Sequence, residues 1–165
     1  RERDSIVRFL NYPVRITYVG RLDKDSEGLL LMTNNGDIIN RMMRAANKHE
    51  KEYKVTVDKP VTDEFLKEMA GGVPILDTVT RPCQVEKLGK YKFKIILTQG
   101  LNRQIRRMCE ALGYEVRELR RVRIMNIELG NLKPGEYRKV TDQELNELYE
   151  LIRDSKSEPT PWNNN

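Results

Sequence analysis

Between Gly20 and Gly36 the chain reads GRLDKDSEGLLLMTNNG, and this stretch constrains the fold more than any other. Ahead of it, Val14-Arg15-Ile16-Thr17-Tyr18-Val19 alternates as a strand does. Within it, Gly28 to Thr33 is a short apolar run bounded by turn residues, the pattern of a buried strand. One acid, Asp23, is thus carried in a short loop between two core strands. Stiff flanking elements suit a catalytic carboxylate. An aspartate in such a loop also serves as a turn residue bonded to its own backbone, so the segment alone leaves both roles open.

The remaining pattern predicts one α+β domain over residues 1–153, built on a mixed, largely antiparallel sheet flanked by helices. Asp4 to Asn11 is expected as a short helix stopped at Tyr12-Pro13. Asp37 is the expected cap of a helix reaching about Asn47, with Ile38, Ile39, Met42 and Met43 as its core stripe. Glu50 to Val57 alternates as a half-buried strand. Thr62 to Ala70 reads as a helix ended by Gly71-Gly72. Val73 to Leu88 and Tyr91 to Thr98 read as strands turned at Gly89, with Pro82 marking an edge or a break. Asn102 to Leu112 is an expected helix, and Glu115 to Leu129 one long strand or two. Lys133-Pro134-Gly135-Glu136 is a turn. Thr141-Asp142-Gln143-Glu144 is a capping box that opens a helix to about Ile152. The tail, residues 154–165, is polar and proline-bearing and is expected to be disordered.

Thirty Lys and Arg against 25 Asp and Glu leave a net charge of +5, which favours a polyanionic partner, RNA or DNA before a membrane. No apolar run approaches the ~20 residues of a membrane span. Two distant cysteines, Cys83 and Cys109, and a single histidine, His49, argue against a disulfide framework and a zinc site and fit a reducing cytosol. There is no phosphate-binding G-x-x-x-x-G-K-[ST] and no G-x-S-x-G nucleophile elbow. From Leu101 to Arg123 there are seven arginines, three glutamates and no lysine. Arg103, Arg106 and Arg107 are helix neighbours lying off the apolar stripe of Ile105, Met108, Cys109 and Leu112. Their planar forks suit phosphate, and a helix N-terminus adds to that. In Lys51-Glu52-Tyr53 the tyrosine reads either as core or as a platform for an unpaired base, where stacking is worth ~1–3 kcal/mol. The chemistry left to this inventory is a carboxylate nucleophile working with arginines and no cofactor.

Four segments then show a resemblance. Gly20-Arg21-Leu22-Asp23 and its continuation resemble the catalytic segment of the RNA pseudouridine synthases of the RsuA type. Lys51-Glu52-Tyr53 resembles that family's K-x-Y. QGLNRQIRRM, Gln99 to Met108, resembles its E-G-R-N-R-Q-V-R-R-M, with Leu101 standing where the family often has Arg. LKPGEYRKVT, Leu132 to Thr141, resembles its L-x-P-G-E-W/Y-R-x-L-T. The segments occur in the family's order across roughly residues 6–152, and Val55 to Cys83 looks closest to the RluF branch, which modifies large-subunit rRNA. The family's small N-terminal RNA-binding domain is not found in these residues, and part of the target recognition is expected to be missing with it.

The resemblance implies a pseudouridine synthase catalytic fold with a central RNA-binding cleft. It implies no metal or cofactor, and since no stretch reads as an oligomerisation seam, a cytoplasmic monomer with no membrane partner is expected. The substrate would be a specific uridine in 23S rRNA, with tRNA open as a second substrate, flipped out of folded RNA. Asp23 would be the nucleophile, with attack at sugar carbon 1′, attack at base carbon 6 and a glycal route all left open. Asp23 must be ionised, and Arg106 matches the family's partner for that carboxylate. Arg21 would bind the flipped nucleotide or hold it out of the helix. Tyr53 would stack on the uracil and assist proton removal from carbon 5. Lys51, Asn102, Arg103, Gln104 and Arg107 become RNA contacts, Arg103 and Arg107 to phosphate. The competing reading is a non-catalytic RNA-binding or ribosome-assembly module, which shares the basic helix but gives Asp23 no chemical task.

Overall fold

The computed structural model describes residues 17–19, 22–45 and 48–153 of the protein. The expected helix at Asp4 to Asn11 and the tail from Asp154 lie outside the described residues. In chain order the elements begin with β1 (Thr17–Val19), β2 (Glu27–Gly28), β3 (Leu31–Thr33) and α1 (Gly36–Ala45). Next come β4 (Lys51–Val57), α2 (Asp63–Gly71), β5 (Pro74–Ile75), β6 (Thr78–Val79), β7 (Gln84–Gly89) and β8 (Lys92–Leu97). The last are α3 (Gln104–Ala111), β9 (Val116–Ile124), β10 (Ile127–Glu128) and α4 (Asp142–Arg153). The main sheet runs β10-β9-β4-β8-β7 with antiparallel neighbours, and β2 joins the outer edge of β9 in parallel. The expected α+β domain on a mixed, largely antiparallel sheet is what forms.

Strand alternation and helix periodicity set the layers. Val55, Val57, Phe93, Ile95 and Leu97 share one face of the sheet and are buried against Phe65 and Met69 of α2 and Ile105, Met108 and Cys109 of α3. Phe65 meets Phe93 edge-on, with ring centroids 5.3 Å apart, a favoured aromatic geometry. A second core joins α1 and α4 to the far end of β9 through Ile38, Met42, Leu148, Ile152, Ile124 and Ile127. The methionine of the α1 stripe is therefore packing. Thr62 caps α2, its hydroxyl accepting from Phe65 N–H at 3.0 Å. The capping box of α4 forms with both reciprocal bonds, 2.9 Å from Thr141 N–H to Glu144 and 3.1 Å from Glu144 N–H to Thr141. Arg138, bonded to the same carboxylate, is the main reason the Glu144 carboxyl is held down at about 2.

The run from Gly28 to Thr33 does not form one strand. Its start pairs with β9, Gly28 opposite Arg121, whereas Leu31–Thr33 pairs antiparallel with Thr17–Val19. Gly28 makes the division possible. Its φ is +120°, and a Cβ there would lie 2.2 Å from the Arg121 carbonyl oxygen, so only glycine lets the two backbones approach. Gly28→Ala should destabilise the protein by at least about 2 kcal/mol, through a steric clash and a forbidden φ. At this size that lowers Tm by roughly 4–8 °C. A melting curve within a degree of the parent would show that β2 adapts freely.

Other boundaries move for local reasons. Asn35, not Asp37, caps α1: its side-chain oxygen accepts from Asp37 N–H at 2.9 Å and Ile38 N–H at 3.4 Å. Asp37 instead pairs with Arg41, one turn on, at 3.0 Å. The stretch from Val73 to Leu88 becomes a small hairpin, β5–β6, followed by β7, with Pro82 in the connector. The hairpin turns at Leu76 and Asp77, both left-handed at φ 46° and 62°, as a two-residue turn between twisted strands requires. The expected helix from Asn102 starts at Gln104, because Arg103 is left-handed at φ 48°.

Candidate active site

Asp23 is exposed on a tight turn closed by a 3.0 Å bond from Ser26 N–H to the Asp23 carbonyl. The turn is held from across the molecule. Ile105, Met108 and Cys109 commit one face of α3 to the core, which leaves Arg106 on the side that meets the turn. Its Nη2 donates to the Asp25 carbonyl at 2.6 Å. The contact is therefore with the backbone of the Asp23 turn, not with the Asp23 carboxylate. The Arg106 Nε and the Ser26 hydroxyl are enclosed beside it without a hydrogen-bond partner among the described residues.

Tyr53 is placed by alternation on the core face of β4, two residues from Val55, and packs against the main core. Burial holds its phenol above the usual range and the Asp23 charge adds to that, while the nearby Arg121 guanidinium pulls the other way. The net result is a phenol that stays protonated at neutral pH. Lys51, two residues earlier, has its ammonium brought down to about 8, first by burial and then by Arg121 and Arg81. Three elements thus converge: the Asp23 turn, β4 with Lys51 and Tyr53, and β9 with Arg121.

Arg121, outside the basic helix, is 5% exposed. One signal in the sequence points to it. In Val116–Ile124, Leu119 is a core residue, and a period of two carries the same face to position 121. Arg81 also enters the neighbourhood, bonded through Nη1 to the Thr98 carbonyl at 3.4 Å.

The basic helix divides by function. Arg107 donates from Nε to the Asn102 carbonyl at 2.9 Å and from Nη2 to the Asn102 side chain at 2.8 Å, so these two residues brace one another at the start of α3. Arg103 stands beside them in its left-handed conformation. Gln104 corrects the sequence reading. It is turned inward at 4% exposure, and its amide holds Leu101 N–H at 3.1 Å and Gln99 at 3.2 Å. It is a brace of the loop before α3, not a surface contact for RNA. Arg21 lies outside the described residues. A hollow of about 310 Å³ lined by Glu52, Lys54, Arg120 and Arg123 opens on the opposite side of β4 from Tyr53. There Arg123 is engaged by Glu50 and Glu52 at 3.0 Å each.

The sheet topology and the clasped aspartate turn narrow the protein to one class. The chain belongs to the RNA pseudouridylate synthase family, which it matches over residues 2–111. The dual-specificity RNA pseudouridine synthase RluF of Shigella flexneri is 58% identical over 160 residues, covering 97% of this chain and 55% of that protein. Ribosomal small subunit pseudouridine synthase A of Yersinia pestis is 34% identical, covering 87% of this chain and 63% of that protein. A crystal structure of a pseudouridylate synthase superposes with a TM-score of 0.80 at 34% identity, covering 87% of this chain and 65% of the other. The chain thus spans about half the length of its RluF relative.

Proposed function

We propose that this chain isomerises uridine to pseudouridine in folded RNA, with Asp23 as the nucleophile. The observation that carries the reading is the exposed carboxylate of Asp23 on a turn clasped by Arg106 and within electrostatic reach of Tyr53. The net reaction breaks the bond from N1 to carbon 1′ and makes one from carbon 5 to carbon 1′, and carbon 5 gives up its proton while N1 takes one up. A uridine inside a helix cannot present these atoms, so the nucleotide is flipped out first. Tyr53, a neutral phenol, offers a ring face to the uracil and an O–H donor to the site. Arg106 holds the turn that carries Asp23 through the Asp25 carbonyl.

Large-subunit rRNA is the proposed target, on the strength of the RluF likeness. A second RNA substrate follows from the dual specificity in that relative's name. Release of tritium from RNA carrying carbon-5-labelled uridine tests the reading. Release at one site, with pseudouridine formed in equal amount, is the expected result. Tight RNA binding without release would leave the non-catalytic binding module as the account of this chain.

Two measurements test the RNA surface. Phosphate contacts release counterions, so log K should fall linearly with log salt, and Arg103→Ala or Arg107→Ala should each reduce the slope by about one. An unchanged slope in both variants would place the RNA elsewhere. Lys51 is charged below about 8 and neutral above it. RNA affinity should therefore weaken as pH rises from 7 to 9, and Lys51→Met should flatten that dependence. A profile identical in parent and variant would remove Lys51 from the RNA contacts.

A further inference from the structure

Three segments meet at Gln99: the end of β8, the connector after β6 and the start of α3. Its Oε1 accepts from the Arg81 backbone N–H at 3.1 Å and from the Gln104 amide nitrogen at 3.2 Å. Gln104 is buried, and its own oxygen accepts from Leu101 N–H at 3.1 Å. A backbone N–H only donates, so Arg81 and Leu101 fix which way round both amides stand. A reversed Gln99 would set its NH2 group against two donors. Both acceptor positions of the Gln99 oxygen are therefore filled inside the protein. Its amide nitrogen donates to nothing among the described residues and is open to solvent.

The same bonds place that amide. α3 covers the face of the sheet that carries Val55, Phe93 and Ile95, and a side chain bonded to Gln104 lies on that side. In the neighbouring strand Tyr53 stands opposite Ile95, and Lys51 opposite Leu97, two residues before Gln99. The Arg81 guanidinium rests on the Thr98 carbonyl at 3.4 Å. Gln99 thus offers two N–H groups at the end of β8 where the side chains of two cations are also carried. Donors and cations together suit an anionic oxygen better than a neutral one.

We propose that Gln99 is an RNA-binding residue: its amide nitrogen, held in orientation through Arg81 and Gln104, donates to a backbone phosphate oxygen beside the target uridine. The inference rests on the RNA substrate proposed above, and adds to it a neutral contact outside the basic helix. Because its oxygen is already engaged, the amide meets the phosphate without reorienting, and little side-chain entropy is lost on binding.

The test is Gln99→Glu, with binding to a stem–loop that carries the target uridine. A carboxylate still accepts from the Arg81 N–H and the Gln104 amide, so the fold should be kept. It has no donor, and it brings negative charge towards the phosphate. The Kd for the stem–loop should rise at least about tenfold, the scale of a lost hydrogen bond to a charged group. An unchanged Kd overturns the proposal. Stem–loops with one neutral methylphosphonate at a time separate a contact from general repulsion. At one position the substitution should weaken binding to the parent by about tenfold, and that penalty should largely vanish in Gln99→Glu. Equal penalties in the two proteins at every position overturn the proposal. A third measurement needs no variant. The side-chain N–H signals of Gln99, read by NMR in the parent, should exchange with water at least about tenfold more slowly when the stem–loop is bound. Unchanged exchange overturns the proposal even where Gln99→Glu does not fold. Absence of pseudouridine from parent reactions would instead overturn the catalytic reading, and the binding and NMR arms keep the two failures apart because neither reads activity.

Discussion

Asp23→Asn is expected to lower pseudouridine formation by more than about 10⁴-fold, since loss of a nucleophile in other enzymes has effects of that order. Folding and RNA affinity should stay close to the parent. The structure explains why the substitution is clean. The turn is closed by the Asp23 carbonyl, which Asn retains, and the side chain is exposed. Asn also serves turns about as well as Asp. The change therefore removes the negative charge and the nucleophilic oxygen and little else. The measurement is pseudouridine content of a large-subunit rRNA fragment after incubation with excess enzyme. Retained turnover would mean that Asp23 only braces the turn, and the RNA-binding module would become the better account.

Arg106→Ala should give the second-largest effect, a loss of roughly 100- to 1000-fold in rate, in the range seen when one preorganised donor is removed from a reacting centre. The 2.6 Å bond to the Asp25 carbonyl is lost, so the Asp23 turn is no longer held against α3. Combining Arg106→Ala with Asp23→Asn should add little to either, because residues acting as a unit are not additive. Arg106→Lys should recover only part of the rate, since an ammonium cannot fill both positions of the guanidinium. Full activity in Arg106→Ala would show that the turn holds itself and that the helix arginine is surface decoration.

Local chemistry made much of this protein legible. The strands at Lys51–Val57 and Lys92–Leu97 alternate, and they form where alternation puts them. The box at Thr141 and Glu144 closes as its spacing requires. Each is an interaction within a few residues, so sequence contains both partners. Errors arose where the partner was distant or the choice was between close alternatives. Asn35 and Asp37 both suit a cap, and the start of α1 decides between them. Gln104 sits beside three arginines and reads as a surface residue. Only the packing of α3 against the sheet shows that its amide is turned inward.

By itself the sequence determined the class of fold, the order of its main elements and the basic helix. Those follow from periodicity, turn chemistry and charge, which act over a few residues at a time. The tertiary structure decided how the acid is held. Gly28 looks like one more turn residue until β9 comes within a Cβ's reach of it, and that approach splits the apolar run between two sheets. Arg106 is paired with a backbone carbonyl 81 residues away in sequence, and Arg121 with one 92 residues away. No local pattern encodes contacts of that separation, because they exist only after β2, β4 and β9 have come together and excluded the water that would otherwise satisfy the guanidinium groups.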